Sequence, residues 1–146
     1  MSVDISIIIV NWNTGELLRR CLDALPAACA GLVAEVIVVD NASTDQSVAH
    51  AEGSAQPFRL FKMKTNVGFA RANNVGIRQA GGTTVVLLNP DTEPRAGSLS
   101  TLARFLTEHP SAAAVGPRLL NSDHTLQPSC RRFPTTWVLA LAFLKV

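Results

Sequence analysis

The sequence predicts an α/β fold, a mostly parallel sheet flanked by helices. Short apolar runs alternate with amphipathic stretches from the first residues onward. Three of the runs, Ile5 to Val10, Val36 to Val39 and Val85 to Leu88, are continuous rather than alternating. Strands covered on both faces read in that way. Each of these runs ends in a polar cluster rich in Asn and Asp, where an open α/β sheet binds its ligands.

The elements follow in order. Ile5 to Val10 is the first strand, and it lacks the basic leader and length of a signal peptide. Leu17, Leu18, Cys21, Leu22 and Leu25 then recur at helical spacing, with Thr14 placed to cap that helix. After Val36 to Val39, the run Ser43-Thr44-Asp45-Gln46 matches a capping box, so a second helix is expected to begin immediately after Asn41. Arg59 to Lys64 reads as a strand of mixed character, and Phe69 to Gln79 as a helix ended by Gly81-Gly82. Beyond Val85 to Leu88, residues Ala96, Leu99, Leu102, Ala103 and Leu106 line one helix face, which Pro110 stops. Ala112 to Val115 is expected to be a strand, and the polar, proline-punctuated stretch from Arg118 to consist of loops with a hairpin.

With 146 residues, 47% of them hydrophobic and 16% charged, residues 1–146 suit a single globular domain. A net charge of +2 shows no basic footprint for nucleic acid. Three cysteines, Cys21, Cys29 and Cys130, have no CxxC spacing and suggest neither a disulfide framework nor a zinc site, which points to a reduced, cytoplasmic chain. Thr135 to Val146 is strongly apolar and has no stop signal, yet it is too short to span a membrane. It reads as a helix cut midway, hence as a C-terminally truncated chain.

The candidate chemistry sits in four clusters: Asn11-Trp12-Asn13, Asp40-Asn41-Ala42-Ser43, Asn66 to Gly76, and Asn89-Pro90-Asp91-Thr92-Glu93. Asp40 either meets a base or ribose or satisfies the amides of its own turn. Gly68 permits an unusual backbone angle at a helix entrance, where amides attract anions, and Arg71 one turn later can bind a diphosphate or remain solvated. Asp91, with Glu93 close by, suits a cation carried on phosphates, because magnesium takes one or two carboxylates plus phosphate oxygens; the alternative is an ordinary Asn-Pro-Asp turn. No GxGxxG follows the first strand and no GxxxxGK[ST] occurs, which argues against dinucleotide oxidoreductases and P-loop enzymes.

In order and spacing, Ile7 to Asn13, Val38 to Asp45, Asn66 to Ala70 with Asn73 to Gly76, and Leu87 to Thr92 resemble the family 2 glycosyltransferases, most closely the rhamnosyltransferase-like members. The resemblance covers residues 5 to about 120. It implies a GT-A fold, of which this chain is the nucleotide-sugar-binding part. It also implies inverting transfer of a hexose such as rhamnose from a dTDP-, UDP- or GDP-linked donor to a glycan or lipid-linked glycan acceptor in polysaccharide synthesis. Position by position, Asp40 is similar to the residue contacting base and ribose, Asn11 and Asn13 to the loop beside it, and Asn66 and Arg71 to the diphosphate region. Asn89 to Asp91 is similar to the DxD element, with Asn89 in place of the first Asp and Asp91 as ligand to Mg²⁺ or Mn²⁺. Ser129 to Thr135 resembles the segment that follows that element.

The family's general base belongs to the part of the fold beyond this chain, and so does the acceptor site. Asp123 and His124, in a polar loop, are weak candidates, and the catalytic base is left unassigned. The resemblance also implies a protein at the inner face of the cell membrane, associated with it peripherally. A nucleotide-sugar-binding module without turnover is the alternative.

Overall fold

The computed structural model describes residues 2–129, and its elements grow from the apolar pattern. They are β1 (Ile5–Asn11), α1 (Leu17–Ala28), β2 (Ala34–Asp40), α2 (Ser47–Ala51), β3 (Arg59–Lys62), α3 (Phe69–Ile77), β4 (Thr84–Leu88) and α4 (Ser98–Glu108). The four strands form a parallel sheet in the order β3-β2-β1-β4. By contact, the chain divides into a large unit, Met1–Val115, and a small one, Gly116–Val146.

All seven positions of β1 are buried, as a continuous apolar run in a sheet covered on both faces requires. Its side chains alternate between two cores. Ile5, Ile7 and Ile9 pack with Leu18, Cys21, Leu22 and Leu25 of α1 and Leu99 of α4. On the opposite face Val10, Ile37 and Val39 pack against Ala72 of α3. Gly76 permits that approach, since a Cβ there would stand 2.5 Å from Cγ2 of Ile8.

Five expectations need correction. Val85 to Leu88 is not covered on both faces: β4 lies at the edge of the described sheet, with Val85 40% and Leu87 53% exposed. Thr14 does not cap α1 with its hydroxyl, which donates instead to Oδ1 of Asn11; the Thr14 carbonyl accepts the Leu17 amide. The capping box of Ser43 to Gln46 does not form, and α2 begins at Ser47 with no side-chain cap. Ser43 is drawn away by β1, as the site geometry shows. The third strand ends at Lys62, after which the Met63 amide makes one last bond to the Asp40 carbonyl. Ala112 to Val115 is not a strand: the Ala112 amide closes a turn onto the His109 carbonyl, and three alanines before Gly116-Pro117 have weak strand preference.

In the small unit, Leu120 and Leu126 form one antiparallel bridge, with the Asn121 amide bonded to the Thr125 carbonyl. This is the hairpin expected after Arg118. The apolar stretch from Thr135 and the segment from Cys130 to Pro134 lie outside the described residues. Among those described, no helix is long and apolar enough to cross a membrane.

Candidate functional site

The site is built where β1 and β2 end side by side, with Asn11 paired in register to Asp40. Asn11 is fully buried, and an amide in that position must be satisfied. Its Nδ2 lies 2.9 Å from Oδ1 of Asp40, 3.0 Å from Oγ of Ser43 and 2.9 Å from Oγ of Ser47. Ser43 Oγ also accepts the Asn13 amide at 3.1 Å. The hydroxyl that would have capped α2 thus ties two loops together.

Asn13 lies at φ 54° and Ala42 at φ 65°, both left-handed. Asn tolerates that region, whereas for Ala it costs roughly 1–2 kcal/mol. The bend at Asn13 turns its Oδ1 onto the Thr44 amide at 2.8 Å and the Asp45 amide at 3.3 Å. Asp45 answers by accepting the Gly15 amide at 2.8 Å and the Ser47 amide at 3.1 Å. Burial pushes the Asp45 carboxyl up, but the bonds from the Ser47 hydroxyl and from the Gly15 and Ser47 amides outweigh it and hold the carboxyl below its ordinary value.

Asn41 plays the same part toward α3. Its Nδ2 donates to Oδ1 of Asn66 at 2.9 Å, and its Oδ1 accepts the Val67 amide at 2.9 Å. Oδ1 of Asn66 also accepts the Gly68 amide at 2.9 Å. Gly68, at φ 82°, then admits the chain into α3, whose first turn carries no side-chain cap.

On the other side, β4 runs into Asn89-Pro90-Asp91-Thr92, closed by the Thr92 hydroxyl and amide on the Asn89 carbonyl at 2.6 and 3.2 Å. Cys21 of α1 donates its thiol to the same carbonyl at 3.7 Å. Burial pushes that thiol up to about 12; the Thr92 bond opposes the rise, and the charges of Asp91 and Glu93 add to it. Cys21 is therefore an inert part of the core.

These loops enclose a cleft of about 400 Å³, within the range of small-ligand sites. Of the residues singled out in the sequence, Asn13, Asn66, Asn89 and Asp91 line it. Asn11 and Asp40 lie buried beneath the loops that line it, with Asp40 only 5% exposed. Arg71 is exposed on α3 and is not among the lining residues. Sequence reasoning gave no role to Trp12 or Phe69, which line the cleft at 55% and 57% exposure, nor to Asn41. Only the structure marks the first two, as large aromatics left in water beside a concave site.

Among the described residues no group of three or more His, Cys, Asp or Glu side chains could hold a metal alone. Asp91 is the one carboxylate lining the cleft among the described residues. That donor set fits a cation carried largely by phosphate oxygens rather than a protein cage. The Thr125 hydroxyl and amide bind the Asp123 carboxylate and hold its pKa below the ordinary value.

Residues 6–140 match the sequence pattern of Glycosyl transferase family 2. The chain belongs to that family. It is 29% identical over 140 residues to an N-acetylglucosaminyl-diphospho-decaprenol L-rhamnosyltransferase of Mycobacterium tuberculosis, an alignment covering 88% of this chain and 45% of the relative. Among solved structures it is similar to S. aureus TarS 1-349 in complex with UDP-GlcNAc (TM-score 0.65, 28% identity, 73% of this chain and 32% of that one). It is also similar to the mannosyltransferase PcManGT of Pyrobaculum calidifontis in complex with GDP-Man and Mn²⁺ (TM-score 0.59, 26% identity, 70% and 31%). The fold is the GT-A type that the resemblance implied. The chain spans about half the length of the curated relatives it matches.

Proposed function

We propose that this chain is the donor-binding part of a glycosyltransferase that moves a sugar, rhamnose being the leading candidate, from a nucleoside diphosphate to a hydroxyl of a surface-polysaccharide acceptor with inversion. The observation that carries this reading is the cleft itself, in which exposed rings, an uncapped helix entrance and the Asp91 carboxylate converge beyond the strand ends. Trp12 and Phe69 offer apolar faces on which a base or sugar can stack. The first-turn amides of α3 attract the diphosphate, with Arg71 nearby on the same helix. Asp40, Asn11 and Asn13 hold the loop that meets the nucleoside, and Asn66 and Asn89 border the phosphates.

Asp91 would hold a Mg²⁺ or Mn²⁺ ion, which when bound neutralises charge developing on the departing diphosphate. The reading is supported by relatives that bind UDP-GlcNAc, or GDP-Man with Mn²⁺, and by a relative named as a rhamnosyltransferase acting on a lipid-linked sugar. A lipid-linked acceptor would set the reaction at the inner face of the cell membrane, with peripheral association of the whole protein and its base and acceptor site outside residues 1–146.

Titration calorimetry of UDP, dTDP and GDP, with and without Mg²⁺ or Mn²⁺, tests the reading. One nucleotide should bind more tightly with the cation, and Asp91→Ala should abolish that enhancement while leaving the thermal midpoint unchanged. Equal affinities for parent and variant in both conditions would remove Asp91 from the metal role.

A further inference from the structure

The sequence Ser43 to Gln46 does not form its capping box: the Ser43, Thr44 and Asp45 side chains bond the end of β1 and the loop after it, and Asp45 also takes the first amide of α2. Following their bonds gives a closed circuit. Asn11 Nδ2 donates to Ser47 Oγ, the Ser47 hydroxyl donates to Asp45 Oδ1 at 2.5 Å, and Asp45 Oδ2 accepts the Gly15 amide. Asn13 Oδ1 meanwhile accepts the amides of Thr44 and Asp45. Asn11, Asn13 and Gly15 are thereby pinned one after another, and Trp12 is carried between the first two. The Trp12 side chain is left 55% exposed, so packing alone does not hold it. Gly15 at φ 56° and Asn13 at φ 54° give the loop its two left-handed bends, which both residues adopt readily, so the bonds to Asp45, Thr44 and Ser43 select one shape from a permissive loop.

We infer that Asp45 is a positioning residue of the cleft: it lies outside the lining, and by closing the circuit between Gly15 and Ser47 it fixes the loop that presents Trp12. Both oxygens are needed, one for each end of the bridge. Charge-assisted bonds of this kind are stronger than neutral ones, which suits an exposed residue holding a bent loop. The functional consequence rests on the donor-binding reading above, whereas the mechanical one does not.

The test uses the full chain with Trp137→Phe, which leaves Trp12 as the single tryptophan. Asp45→Asn and Asp45→Ala are compared with that background by fluorescence anisotropy decay of Trp12, thermal unfolding, and calorimetry with the nucleotide that the parent binds. Glu35→Gln, at the far end of the sheet, serves as a variant that lowers stability without touching the loop. We expect Asp45→Ala to release fast local motion of Trp12 and to weaken nucleotide binding about five- to tenfold. Asp45→Asn should do so to a lesser degree, because it retains one acceptor oxygen. Glu35→Gln should leave Trp12 as restrained as in the parent. Should Asp45→Ala fail to fold, Asp45→Asn decides. Restrained Trp12 motion in the folded Asp45 variants would overturn the inference, and so would a loosened Trp12 with parental affinity. A parent that binds no nucleotide would instead refute the donor-binding reading, and Trp12 motion would still decide the clamp.

Discussion

The two ends of the β1–β2 pair are built from the same parts and finish differently. At the amino end Ser6 is paired with Glu35, at the carboxyl end Asn11 with Asp40: in each case a short polar residue faces a carboxylate in register. Ser6 donates its hydroxyl to Oε1 of Glu35 at 2.6 Å, and that oxygen also accepts the Gly81 amide at 2.6 Å. The Gly82 amide donates to Ser6 Oγ, and Arg59 donates to Oε2 of Glu35 at 3.2 Å. Gly82 is so close that a Cβ would stand 2.7 Å from the backbone of Ile5 and Ser6. The amino end is closed by backbone. At the carboxyl end the same kind of pair anchors loops that stand apart and leave a cleft. A polar pair at a strand end thus says nothing about ligand binding until the loops around it are placed.

Breaking the pair at the carboxyl end should cost most. Asn11→Ala removes the hub of the two loops after β1 and β2 and takes from the buried Asp40 carboxylate its Asn11 donor, a loss of about 3 kcal/mol in unfolding free energy. Urea unfolding measures it, and calorimetry should show weakened nucleotide binding in the same variant. A loss confined to stability would mean that the hub does not serve the cleft.

At the amino end the loss should be smaller and depend on pH. Glu35 is held below its ordinary pKa chiefly by the Ser6 hydroxyl, with the Gly81 amide and Arg59 adding to it against the opposing effect of burial. A carboxyl whose folded value lies below its unfolded one stabilises fully above the unfolded value, near 4.3, and that contribution disappears as pH falls through the folded value. Glu35→Gln should therefore cost about 1 kcal/mol at neutral pH, with the gap to the parent closing in acid and nucleotide affinity unchanged. A gap that stays constant to low pH would show that the Glu35 carboxylate is not what stabilises the amino end.

The strands were legible because Ile5 to Val10 and Val36 to Val39 have no polar face, and a sheet buried on both sides is what such runs can make. The lining at Asn13, Asn89 and Asp91 was legible for a related reason, since polar clusters directly after apolar strands fall at one edge, while Asn66 was legible through the helix entrance at Gly68. What escaped depends on contacts about 30 residues apart. Ser43 reads locally as a cap, and only the arrival of Asn11 and Asn13 from the next strand diverts it. Trp12 and Phe69 carry no sign in sequence that they stay exposed. Arg71, one turn into α3, has the right helix but does not reach the lining.

The central claim is that ligand binds at the carboxyl end of the sheet and not at its closed amino end. Amide chemical-shift mapping of the full chain, titrated with the nucleoside diphosphate and Mg²⁺ or Mn²⁺, asks this directly. The account predicts that the amides of Trp12, Asn13, Val67 to Phe69 and Asp91 shift with saturation while those of Glu35, Gly81 and Gly82 stay still. Saturable shifts centred on Glu35, Gly81 and Gly82, or none in the Trp12 and Asp91 loops, would contradict it.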